Sequence, residues 1–133
     1  MAGLSTIEFI FALLLAFQVK QFLGDYVFQT TWMVSGKSKS GAGFIFPLSV
    51  HVMVHAVMTY GIVMVVNPSL WYLFLLDFFA HFAMDRIKAS PTLLGRFSDT
   101  TKQTYWMTFG FDQMVHHLTH YIVIFVLLMN RGV

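Results

Sequence analysis

Residues 44–66 read FIFPLSVHVMVHAVMTYGIVMVV, and the fold turns on how this stretch is read. It runs for 23 residues without an Asp, Glu, Lys or Arg. A helix needs about 20 mostly apolar residues to cross the hydrocarbon core of a bilayer. The stretch is closed by Asn67-Pro68, where proline removes a backbone donor and steers its predecessor away from helical geometry. Inside it stand His51 and His55, four residues apart and therefore on one helix face. Such a segment is a spanning helix with a polar stripe, and the flanking sequence repeats that design.

Three further segments supply comparable spans: about 6–30, 69–89 and 105–130. Composition agrees. Of 133 residues, 57% are hydrophobic and 11% charged, against about 25% charged in soluble domains. The mean hydropathy is +0.69. These figures exclude a disordered chain, a nucleic-acid module with a basic face and an ordinary cytosolic enzyme. With no cysteine in the chain, disulfides, thiolate metal sites and cysteine nucleophiles are excluded as well. The expectation is an all-α integral membrane four-helix bundle forming a single transmembrane domain over 1–133.

Glu8 stands where a cleavable signal sequence carries Lys or Arg, so the first apolar run reads as a retained helix. Two polar loops remain, Thr31–Gly43 and Ser90–Thr104. They hold Lys37, Lys39, Arg96 and Lys102, with Arg86 and Lys88 at the edge. Short basic loops stay in the cytoplasm, which places both termini outside. Trp32 and Gln29 fit the headgroup level.

Every span carries ionisable groups within its apolar run: Asp25 in the first, His51 and His55 in the second, Asp77, His81 and Asp85 in the third, Asp112, His116 and His120 in the fourth. The recurrent spacing of four puts each set on one helix face. Counted from the cytoplasmic ends at about 1.5 Å per residue, these groups, His120 aside, fall in a layer roughly 10 Å thick. A lone charge in hydrocarbon costs about 2.5–3.5 kcal/mol on insertion scales, so these groups must face one another. Deprotonated Asp and neutral His are the ligand set of a divalent cation. Nitrogen and oxygen donors without sulfur suit Zn best, with Mn, Fe or Ni also acceptable. Asp25, His51, His55, His81, Asp85, Asp112 and His116 are the candidate ligands. Their number fits two metals, or one metal whose outer carboxylates orient the histidines.

A weak repeat accompanies this layer. Gln21 to Asp25 matches His81 to Asp85 at an offset of 60, and His51/His55 matches Asp112/His116 at 61. A repeat of this kind predicts a site fed by both halves of the chain.

Several motifs occur together in order: Gly24-Asp25-Tyr26-Val27-Phe28-Gln29-Thr30 followed by Trp32, then His51-x-x-x-His55, His81-x-x-x-Asp85-x-x-Lys88 and Asp112-Gln113-x-x-His116. In this the chain resembles a bacterial family of small polytopic membrane proteins catalogued as domain of unknown function 3307. The resemblance covers most of the chain and implies a multi-pass protein of the bacterial inner membrane, with no established activity. A His one turn before the first Asp is common in that family, and Gln21 stands there in this chain.

Three functions fit these residues. The first is a metal-dependent hydrolase acting on a lipid headgroup or lipid-linked phosphate, with Asp77 or Asp25 as outer carboxylate or general base and Lys88 stabilising negative charge on the substrate. The second is a metal-ion or proton transporter or channel, for which an oligomer of the chain would have to complete the path. The third is a non-catalytic membrane assembly protein whose polar layer only locks its helices. Membrane lipids are the expected partners in all three.

Overall fold

The computed structural model describes residues 3–131; residues 1, 2, 132 and 133 of the expected domain lie outside them. Among the described residues all regular structure is helical. Five α-helices follow one another: α1 (Thr6–Phe22), α2 (Thr31–Lys37), α3 (Ile45–Val66), α4 (Leu73–Ala89) and α5 (Gln103–Met129).

Helix α1 begins with a capping box. The Ser5 hydroxyl accepts from the Glu8 backbone amide, and the Glu8 carboxylate accepts from the Ser5 amide at 2.8 Å. Glu8 thus satisfies a free amide at a helix start. At its far end α1 widens into a π turn, Leu23–Val27, closed by the Phe28 amide donating to the Leu23 carbonyl at 2.8 Å. Asp25 sits in this turn. Such turns add a residue and re-aim side chains.

Three stretches are long and apolar enough to cross a membrane: Thr6–Val27, Gly41–Val66 and Gln103–Met129. The third expected span is different. Helix α4 has 17 residues, about 26 Å against a core of about 30 Å, and it carries Asp77, His81, Asp85, Arg86 and Lys88. The structure also places α2 where the sequence suggested only a polar loop. Thr30 caps it by accepting from the Met33 amide at 3.3 Å. The short helix lies flat against α3, because Gly36 leaves room for the Pro47 ring; a Cβ there would come within 2.4 Å of it.

Helices α1, α3, α4 and α5 pack around a common interior, with α3 and α5 each touching α1 and α4. At one end that interior is purely apolar, built by Phe9, Leu13, Phe17, Val63, Leu70, Leu73, Val123, Ile124 and Leu127. The Asn67 side chain donates to the Asn130 carbonyl at 3.1 Å and ties α3 to the end of α5 there. At the other end the interior is polar. The outward faces are reversed in character: Ile7, Phe11, Val57, Val65, Phe79 and Phe125 are all more than half exposed.

Candidate metal centre

The polar end gathers side chains from four segments. Asp25 comes from the π turn, His51 and His55 from α3, His81 and Asp85 from α4, and Asp112 and His116 from α5. The four-residue spacings place each pair on the inward face, one turn apart. Gly24 makes the approach of α1 possible, since a Cβ there would lie 2.2 Å from the His55 ring.

Two groups of potential ligand atoms result, each with all its atoms within 4.8 Å of one another. One is Asp25, His51, His55 and His81; the other is His81, Asp85 and His116. Asp25 Oδ1 lies 3.4 Å from His51 Nε2 and 3.2 Å from His55 Nε2. A tetrahedral ion with ligands at about 2.0–2.2 Å separates them by roughly 3.3–3.6 Å, so this edge length fits zinc. Asp85 Oδ2 lies 3.1 Å from His51 Nε2, and Asp85 Oδ1 lies 3.2 Å from His116 Nε2. His116 Nε2 is also 3.2 Å from Asp112 Oδ1. The His81 ring is wedged between the others, 4.0 Å from the His55 ring and 3.8 Å from that of His116.

His55 Nε2 is hydrogen-bonded to Asp25 Oδ1 at 3.2 Å, but elsewhere in the cluster close approach is not hydrogen bonding. His51 Nε2, both nitrogens of His81 and Asp112 Oδ1 are buried and have no hydrogen-bond partner in the protein. His51 and His81 are each 1% exposed. A buried polar atom left unpaired costs about 1–3 kcal/mol. Donor atoms that crowd together without hydrogen-bond geometry are what a cation coordinated between them would require.

The remaining carboxylate oxygens are engaged. Gln21 donates to Asp25 Oδ2 at 2.6 Å, Lys37 to Asp85 Oδ2 at 3.0 Å and Lys88 to Asp112 Oδ2 at 3.2 Å. Lys88, three residues beyond Asp85 on the same helix, thus pairs with α5, and Asp85 goes to Lys37 of α2. Gln29 donates to the Asp25 carbonyl and fixes the π turn. Trp32 packs edge-on against Phe46, half exposed. These carboxylates and both lysines line a cavity of about 450 Å³, with Tyr26, Tyr105 and Phe109 on its walls.

Asp77 lies apart from that cavity. It belongs to a deeper cluster that sequence reasoning missed: Asp77 Oδ2 accepts from Lys20 Nζ and from the Thr59 hydroxyl, each at 2.7 Å, and Lys20 Nζ is 3.0 Å from His120 Nε2. Lys20 could have been found on α1, because it shares the inward face with Phe9, Leu13 and Phe17. His81 Nδ1 stands 3.8 Å from Asp77 Oδ1, so the two clusters adjoin through that ring. His117 is half-buried and stacks on Tyr121, away from the centre.

Residues 9–132 match the family described as protein of unknown function (DUF3307). The chain belongs to this family. No curated protein and no solved structure matches it. What the DUF3307 chain can do must therefore be read from its own geometry: a histidine–aspartate cluster able to hold a metal ion, at the polar end of apolar helices.

Proposed function

We propose that this DUF3307 protein is an integral membrane hydrolase that uses a divalent metal, zinc by preference, to cleave the phosphate ester of a lipid headgroup or lipid-linked substrate. Four crossings are part of the reading. Helix α4 would complete the fourth with the turn Pro68–Tyr72 that precedes it. The supporting observation for the membrane is the inverted surface, with Lys20, Asp77 and the histidines inside and Phe, Val and Ile outside. That distribution is stable when the surroundings are hydrocarbon.

The metal centre is carried by one observation: His51 and His81 hold buried, unpaired nitrogens beside Asp25, whose Oδ1 also meets His55 Nε2 at 3.2 Å. A bound divalent ion would supply a hydroxide at neutral pH and polarise a phosphoryl oxygen. The rest falls to the chain. Asp25 and the three histidines hold the ion. Lys37 and Lys88 line the cavity with ammonium groups suited to phosphate oxygens. Together with one divalent ion they outweigh Asp25, Asp85 and Asp112 by a single positive charge, so an anionic head is favoured there. The aromatic walls suit the apolar remainder of an amphiphile. Asp77 acts from outside the cavity, through its charge beside His81. Lys37 and Lys88 at the cavity favour the cytoplasmic face by the positive-inside tendency.

The transporter reading meets the apolar plug at the other end, where Phe9, Leu13, Phe17, Val123 and Leu127 are buried together. The assembly reading is favoured by the three lysine–carboxylate pairs, which lock helices together without a ligand. The test is the metal content of detergent-purified protein combined with phosphate release from lipid phosphates. Bound zinc with release that chelation abolishes supports the hydrolase. Bound zinc without release on any lipid phosphate leaves a metal-dependent structural protein, and absence of metal sinks the reading.

A further inference from the structure

We infer that the centre holds two metal ions, with Asp85 as the carboxylate that bridges them. This rests on the metal-binding reading above and goes beyond it in number and arrangement. The two groups of ligand atoms are not one cluster described twice. Asp85 presents different oxygens to them: Oδ2 faces His51 at 3.1 Å and Oδ1 faces His116 at 3.2 Å. A carboxylate oriented in this way is a bridge between neighbouring ions. The other two carboxylates are built as terminal ligands. Asp25 turns only Oδ1 to His51 and His55, because Gln21 holds Oδ2. Asp112 turns only Oδ1 to His116, because Lys88 and Gln113 hold Oδ2. Lys37 shares Oδ2 of Asp85 at 3.0 Å, and an oxygen with two lone pairs can serve both.

The internal correspondence supports the same division. At offsets of 60 and 61, Asp25 and His55 match Asp85 and His116. Each matched pair is separated by 3.2 Å. The chain thus repeats one Asp–His half-site, and the halves meet at His81. The first ion takes Asp25, His51 and His55, the second takes Asp112 and His116, and His81 completes one of the two shells.

Elemental analysis of the full chain, purified in detergent and loaded with Zn or Mn, decides this. The expected result is two ions per chain, falling to one in His116→Ala. Wild-type protein loaded with Mn is expected to give an exchange-coupled paramagnetic resonance spectrum, a readout that needs no variant. One ion per chain with an isolated-Mn spectrum overturns the bridged pair and leaves the single-ion centre standing. Two ions whose spectrum shows no coupling overturn the bridge. Zero ions overturn this inference and the reading beneath it together.

Discussion

At the residue scale the polar end divides into atoms with partners and atoms without, and the two kinds respond differently to substitution. His55→Ala removes a proposed ligand and a wall of the Gly24 contact; bound metal should fall by at least half, measured per chain against protein content. Gly24→Ala keeps every ligand but drives a methyl into the His55 ring. It is expected to lower metal affinity at least tenfold in a competition titration, and unchanged affinity would show that His55 is not a ligand. Lys20 offers a different experiment. Lys20→Met strands Asp77 as an uncompensated charge 0% exposed, at a cost of about 3–5 kcal/mol. Lys20→Met combined with Asp77→Asn should recover most of that in a thermal unfolding series. Failure to recover would mean that Lys20 serves His120 more than Asp77.

At the element scale, helix ends and close packings set the positions of the ligands. Ser5→Ala removes one arm of the capping box and should lower stability by about 1 kcal/mol, with metal content unchanged, because the cap lies at the end remote from the ligands. What the sequence could reveal follows from the range of each interaction. Period-four stripes on α3, α4 and α5 are local, so His51/His55, His81/Asp85 and Asp112/His116 were legible as faces. Asn67-Pro68 marked the end of α3 for the same reason. Three things were hidden because they depend on distant partners. The π turn that aims Asp25 exists within an otherwise helical run. Helix α2 comes from a Ser-, Gly- and Lys-rich stretch that reads as loop until Gly36 meets Pro47. The pairings Lys37–Asp85 and Lys20–Asp77 join residues 48 and 57 positions apart, and nothing local announces either. A His/Asp cluster able to hold a metal was readable; which carboxylate oxygen faces which histidine was not.

At the scale of the whole molecule, the absence of cysteine makes topology directly testable. Single cysteines at Ser38 and Ser98 should react with an impermeant thiol reagent from one side of a sealed vesicle, and one at Ser69 from the other. Labelling at Ser69 and Ser98 from the same side, opposite Ser38, would remove the crossing by α4. Metal should also stabilise the assembly as a unit. Ligation joins four segments, and an ion at about a thousand times its dissociation constant contributes about 4 kcal/mol. Chelation is therefore expected to lower the unfolding temperature of wild-type protein and to leave a ligand-depleted variant such as His51→Ala/His55→Ala unmoved.

The apolar plug formed by Phe9, Leu13, Phe17 and Leu127 has a kinetic corollary. The cavity lined by Asp25, Asp85 and Asp112 lies at the opposite, polar end, so on the hydrolase reading nothing would leave through the plug. Departing fragments and arriving molecules would queue at the same threshold, and free inorganic phosphate should slow turnover by competition.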